Sequence, residues 1–226
     1  MDQITVEDIT VTVIRKKVKR LTLRILPSSM VTITVPLNTG TDRIAQMIRS
    51  HLAWLRQGVA KRAAQPQRLF QNGETIPVWG EQVPIRFMNN SLRRCAKLAQ
   101  GQVIIASPRL SEFKEREALI KDMYTYEMRQ AVDRLWIPCQ KTAGVQAKEY
   151  RLRFMRTRWG TCNTTLRRIW LNIDLAKYPE MCLRYVLLHE LTHLLVKPHN
   201  TQFYAYLSRF MPDGYQAELL LKIKRQ

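Results

Sequence analysis

The sequence predicts an α+β fold: a small β-rich N-terminal subdomain, residues 1–108, followed by a mainly helical domain, residues 109–226. Three observations carry this. Apolar and polar residues alternate with strand period through the first hundred residues. A long stretch of helical spacing opens near Ser111. An apolar helical pattern interrupted by histidines lies near the end.

In the first subdomain, Leu21, Leu23 and Ile25 alternate with Thr22 and Arg24, and Val31, Ile33 and Val35 alternate with threonines. Pro27-Ser28-Ser29 supplies a turn, so the two runs read as an antiparallel hairpin with one polar, basic face. Ile44, Met47, Ile48, Leu52, Leu55 and Val59 then keep helical spacing from Thr41 to about Ala64, with Thr41 as N-cap and Pro66 beyond the end. Asn72-Gly73 and Trp79-Gly80 are turn signals among short strands that close with Val103–Ala106.

The second domain begins with a helix from Ser111 to about Ala143. Its apolar stripe is Leu119, Ile120, Met123, Tyr126 and Leu135, Pro138 bends or interrupts it, and Gly144 suits its C-cap. Tyr150, Leu152 and Phe154 read as a strand, Arg168–Asn172 as another, and the residues between as a turn. Helices over about 179–197, 201–210 and 214–224 complete the chain.

The formal net charge of +19 predicts attraction to polyanions. Three stretches lack acids altogether: Ile9–Thr41, Val83–Leu110 and Tyr150–Ile173. The last carries Arg151, Arg153, Arg156, Arg158, Arg167 and Arg168. A basic surface of this kind suits association with nucleic acid, although charge alone specifies no ligand. No run reaches the roughly 18–20 apolar residues of a membrane span, and the N-terminus has no apolar leader. The expectation is a cytoplasmic protein without membrane association, a monomer by default. Cys95, Cys139, Cys162 and Cys182 form no CxxC pair and read as reduced structural thiols.

Chemistry concentrates in His189-Glu190-Leu191-Thr192-His193. On a helix, residues i and i+4 share one face, so His189 and His193 can grip one zinc ion. Glu190, beside the first ligand, can take the proton of an attacking water. His199 is the candidate third ligand. Its spacing from His193 equals that of the extended HExxHxxGxxH motif, although Val196 stands in place of the glycine. Lys197-Pro198 would stop the helix and let the chain swing His199 back. The chain has four histidines, and three lie between 189 and 199 in an apolar helical context. Leaving such polar groups buried without a metal or hydrogen bonds would be costly. His51, on the early helix, reads as a surface residue.

Thr157-Arg158-Trp159-Gly160-Thr161-Cys162, Ile169-Trp170-Leu171-Asn172, Tyr185 through His193, His199 and Phe203-Tyr204 together resemble the YgjP-like metallopeptidase family, relatives of the SprT-like zinc proteases. The resemblance implies a zincin-like catalytic domain with His189, His193 and His199 on zinc and Glu190 as base. It also draws attention to Arg158 and Trp159 as substrate-binding residues. Thr at 157 and 161, Asn200 and Tyr204 depart from the family's usual residues, and no metal ligand does.

Three functions compete. The first is a zinc metallopeptidase acting on a peptide or protein, held as an added strand beside Arg168–Asn172. The second is a metal-dependent nucleotide or phosphoanhydride hydrolase, with Arg151, Arg153, Arg156 and Arg158 on phosphate oxygens. The third is a nucleic-acid-binding module without catalysis, which leaves Glu190 without a purpose.

Overall fold

The computed structural model describes residues 2–26, 29–63, 68–88 and 92–223. The chain forms two compact units, Met1–Arg68 and Leu69–Gln226, each with its own core. The boundary therefore falls at 68/69, where the sequence reading placed it at 108/109. The reason is packing. The strands after residue 69 contribute Ile76, Val78, Val83, Ile85, Val103 and Ile105 to the same core as Leu119, Ile120, Met123 and Leu175.

The first unit is a four-stranded sheet of β1 (Asp2–Val6), β2 (Ile9–Lys16), β3 (Thr22–Ile25) and β4 (Val31–Pro36), in the order β1-β2-β4-β3. β3 and β4 pair antiparallel, as the alternation predicts, while β2 and β4 run parallel. Val11, Ile33 and Val35 pack with Ile44, Ile48 and Leu55 of α1 (Thr41–Ser50) and α2 (Leu52–Ala63). The single predicted helix is thus two. The break is at His51, whose backbone leaves helical geometry and whose half-buried ring Nδ1 lies 3.0 Å from the Met47 carbonyl. Gly40, not Thr41, is the N-cap. Pro27, Ser28, Ala64, Pro66 and Lys224, to which the sequence reading assigned turn or helix-end roles, lie outside the described residues.

The second unit opens with a sheet of β5 (Thr75–Val78), β6 (Glu81–Met88), β7 (Cys95–Ala99) and β8 (Gln102–Ala106), in the order β5-β6-β8-β7. Trp79 and Gly80, both at positive φ, make the tight β5–β6 turn, as expected of that dipeptide. This turn helps seat the later helices. The Trp79 N–H donates to the Ala176 carbonyl, and a Cβ on Gly80 would stand 2.8 Å from the Pro179 ring.

α3 (Phe113–Ala143) runs unbroken through Pro138 and ends at Gly144 in the left-handed conformation. Its buried stripe contains Tyr124, while Tyr126, which the spacing placed in the stripe, is exposed. Tyr124 is held inside because its hydroxyl donates to the Pro77 carbonyl at 2.7 Å.

A three-stranded sheet follows: β9 (Glu149–Arg153), β10 (Gly160–Asn163) and β11 (Arg168–Asn172), in the order β10-β11-β9. β10 is antiparallel to β11, and β9 is parallel to it. Sequence reasoning took β10 for a turn. Exposed Phe154 lies past the end of β9. A 3-10 turn (Ile173–Lys177) leads to α4 (Glu180–Thr192), α5 (Thr201–Phe210) and α6 (Gly214–Ile223). α4 is buried nearly all round, with Leu183, Leu187, Leu188 and Leu191 fully enclosed. Burial of each such side chain is worth about 1.5–3 kcal/mol. Among the described residues no helix is long and apolar enough to cross a membrane.

Candidate metal centre

α4 carries His189 and Glu190, and His193 is its C-cap, still at helical φ and ψ. The helix therefore stops well before Pro198, earlier than predicted, yet the i, i+4 relation between the two histidines survives. The turn over 193–200 brings His199 back, and Asn200 caps α5 by accepting from the Phe203 N–H at 3.0 Å.

One ring nitrogen from each of His189, His193 and His199 falls within a cluster no wider than 4.8 Å. Nε2 of His189 and Nε2 of His199 are 3.0 Å apart. Tetrahedral zinc with Zn–N bonds near 2.0–2.1 Å sets its ligand nitrogens roughly 3.3–3.4 Å apart, so the arrangement needs little adjustment. His193 Nδ1 donates to the Lys197 carbonyl at 3.0 Å, which leaves Nε2 as the free lone pair. Burial, reinforced by the neighbouring imidazoles, lowers the His189 pKa to about 4 and lowers that of His193 as well. Both rings are thereby kept in the neutral form that binds metal. The donor set, its convergence and its protonation fit a divalent ion such as zinc.

The three rings rest on Phe203, which is fully buried and lies 4.7–4.9 Å, centroid to centroid, from each of them. From sequence, only the family resemblance pointed to Phe203.

Glu190 stands outside the histidine cluster and is 5% exposed. Burial pushes its carboxyl up to about 8, with the Arg158 guanidinium pulling the other way. Its side chain lies against the backbone of Gly160, the first residue of β10. A Cβ there would meet the Glu190 Oε1 at 2.6 Å and Cγ at 2.7 Å. Glycine at this position makes room for the carboxylate.

Asn172 organises the segment before β10. It is buried, and its amide nitrogen donates to the Met155 and Arg158 carbonyls at 2.8 and 2.9 Å. Its side-chain oxygen accepts from the Met155 and Asp174 N–H groups, and its own N–H donates to the Trp159 carbonyl. One side chain thus sets the path that presents Arg158 and Trp159. Trp159 packs edge-on against Tyr178 at 5.0 Å.

The three histidines and Glu190 line an open cleft of about 710 Å³ together with Arg158, Trp159 and Gly160. α6 closes a side with Glu218, Leu221 and Lys222, and Lys197 adds a further cation. Cys162 also lines it. Burial and the Glu190 carboxylate raise its thiol to about 11, which keeps it protonated and unsuited to act as a nucleophile. Cys139 and Cys182 are buried, and all four cysteines are free.

No curated protein matches this chain. Among solved structures, it is similar to the crystal structure of the metallopeptidase zymogen of Pyrococcus abyssi abylysin. The two share 21% identity over 41% of this chain and 93% of that one, with a TM-score of 0.38. The pattern of the YgjP-like metallopeptidase domain matches residues 19–224, nearly the whole length, and the chain belongs to that family.

Proposed function

We propose that this chain is a zinc-dependent peptidase in which His189, His193 and His199 hold the metal and Glu190 is the general base. The observation that carries this reading is the convergence of three imidazoles beside a buried carboxyl group at an open cleft. A zinc ion held there would supply a Lewis acid that acidifies water and polarises a carbonyl. The remaining work falls to the protein's own groups. Glu190 takes a proton from the attacking water at its carboxylate and returns it to the departing amine. A carboxyl with a raised pKa suits both halves of that transfer, and a nearby cation favours its ionised form before the reaction.

Arg158 and Trp159 line the same cleft as the histidines and are the residues that would contact substrate there. The strand that offers its backbone to an extended peptide is β10. Arg168–Asn172, which the sequence reading put beside the substrate, is the central strand, whereas β10 is an edge of the sheet and contributes Gly160, Thr161 and Cys162 to the cleft wall. Free cysteines suit the reducing cytoplasm as the place of action.

A second reading, hydrolysis of a nucleotide phosphoanhydride, draws on the cations Arg158, Lys197 and Lys222 around the same cleft. Zinc-loaded protein incubated separately with a peptide library and with nucleoside triphosphates distinguishes the two. The expected outcome is peptide cleavage that a chelator abolishes and zinc restores. Chelator-sensitive phosphate release with intact peptides would replace the first reading by the second.

A further inference from the structure

The sheet that lines the cleft with β10 has a second working surface at its opposite edge, β9. The register pairs Glu149, Arg151 and Arg153 of β9 with Arg168, Trp170 and Asn172 of β11. Side chains alternate along a strand, so Arg151, Arg153 and Trp170 share the face turned away from buried Ile169 and Leu171. Both guanidinium groups lie over the Trp170 ring, at 5.9 Å for Arg151 and 5.1 Å for Arg153. Around the outer edge of β9 this face continues into a groove of about 650 Å³, where Trp170 and Arg151 are joined by Trp136, Arg129 and Lys148.

The charges do not cancel. Glu149 is engaged by Arg168 and by the Arg151 Nε, and Asp133 accepts from the Tyr150 hydroxyl. Among the described residues Arg153 has no ion pair or hydrogen-bond partner, and Arg129 and Lys148 are exposed. Five cations therefore face two acids.

We infer that this groove binds single-stranded nucleic acid. Half-buried indoles flanked by cations in excess over acids suit a chain whose bases can leave their stack and lie on aromatic rings while phosphates meet guanidinium groups. A duplex keeps its bases stacked and would leave Trp136 and Trp170 unused. An acidic peptide would use the cations but not the rings. The surface is separate from the metal cleft and does not depend on the reaction catalysed there.

The test is anisotropy of a labelled oligothymidylate of about 20 nucleotides with the full chain across a salt series. The double substitution Arg151→Gln/Arg153→Gln should weaken binding roughly tenfold or more and lower the salt slope by about 1.4, the share of two phosphate contacts on a single strand. The control, Lys19→Gln/Arg20→Gln, removes two exposed cations of the other unit and should change affinity less than about twofold. Trp136→Phe, which keeps an apolar ring in place, should weaken binding without altering the salt slope. Equal losses in the groove and control pairs would overturn the proposal in favour of diffuse attraction. Duplex DNA or polyglutamate binding as tightly as the oligothymidylate, with the same sensitivity to the groove pair, would overturn it in favour of a general anion surface.

Discussion

Glu190→Gln should lower turnover by about 10²- to 10⁴-fold while leaving metal content unchanged, because a Gln amide cannot accept the proton of the attacking water. The carboxylate lies outside the histidine cluster, so its loss removes chemistry and no ligand. The same substitution has an opposite effect on stability in chelator-treated protein. The folded-state pKa of Glu190 is raised to about 8 from a reference of 4.5. Below pH 4.5 both folded and unfolded states are protonated, and Glu190 costs nothing. Between 4.5 and 8 the unfolded chain releases its proton first, so stability falls as pH rises and levels off above 8. The full loss is up to about 4–5 kcal/mol. The lowered pKa values of His189 and His193 contribute in the opposite direction over the same range, in both proteins, so the comparison is relative: between pH 5 and pH 8.5, metal-free wild type should lose stability against metal-free Glu190→Gln. Equal pH dependence in the two proteins would contradict the burial of this carboxyl, and near-full turnover in the variant would contradict its role as base.

Gly160→Ala should disable the site from the other side. The added Cβ would lie 2.6 Å from Oε1 and 2.7 Å from Cγ of Glu190, too close for either atom to stay. Gly160 is held by its pairing with Leu171, and Glu190 is buried on α4, so the least costly response is displacement of the carboxylate. A shift near 1 Å at a catalytic group costs on the order of 10²-fold in rate, and the overpacking costs about 1–3 kcal/mol of stability. Kinetics read beside thermal melting and zinc content separate the two effects. The expected variant is folded and zinc-loaded with little turnover. A folded variant with wild-type turnover would show that the carboxylate does not need the space glycine leaves.

The histidine cluster was the most legible part of the sequence because its spacing is local. His189 and His193 are one helical turn apart, and Pro198 and Asn200 mark a change of direction before His199. What surrounds those histidines was not legible, because it is assembled from distant segments. Gly160 opposite Glu190 and Asn172 beneath Arg158 and Trp159 are contacts between separate elements that no periodicity records. β10 escaped notice because Gly-Thr-Cys-Asn shows no apolar alternation, and its strand character comes from pairing with β11. The break at His51 was hidden for the opposite reason: Ile44, Ile48, Leu52 and Leu55 keep their spacing across it and pack into one core. The hairpin of β3 and β4 and the turn at Trp79-Gly80 were readable because turn chemistry and alternation pointed the same way.

The central claim, a metal held by three histidines, is tested most directly by elemental analysis of the purified, dialysed chain beside the triple variant His189→Ala/His193→Ala/His199→Ala. Wild type should carry about one zinc per chain, and the triple variant none while retaining its far-ultraviolet circular dichroism. A folded triple variant that still holds stoichiometric zinc would contradict the assignment and place the metal elsewhere in the chain.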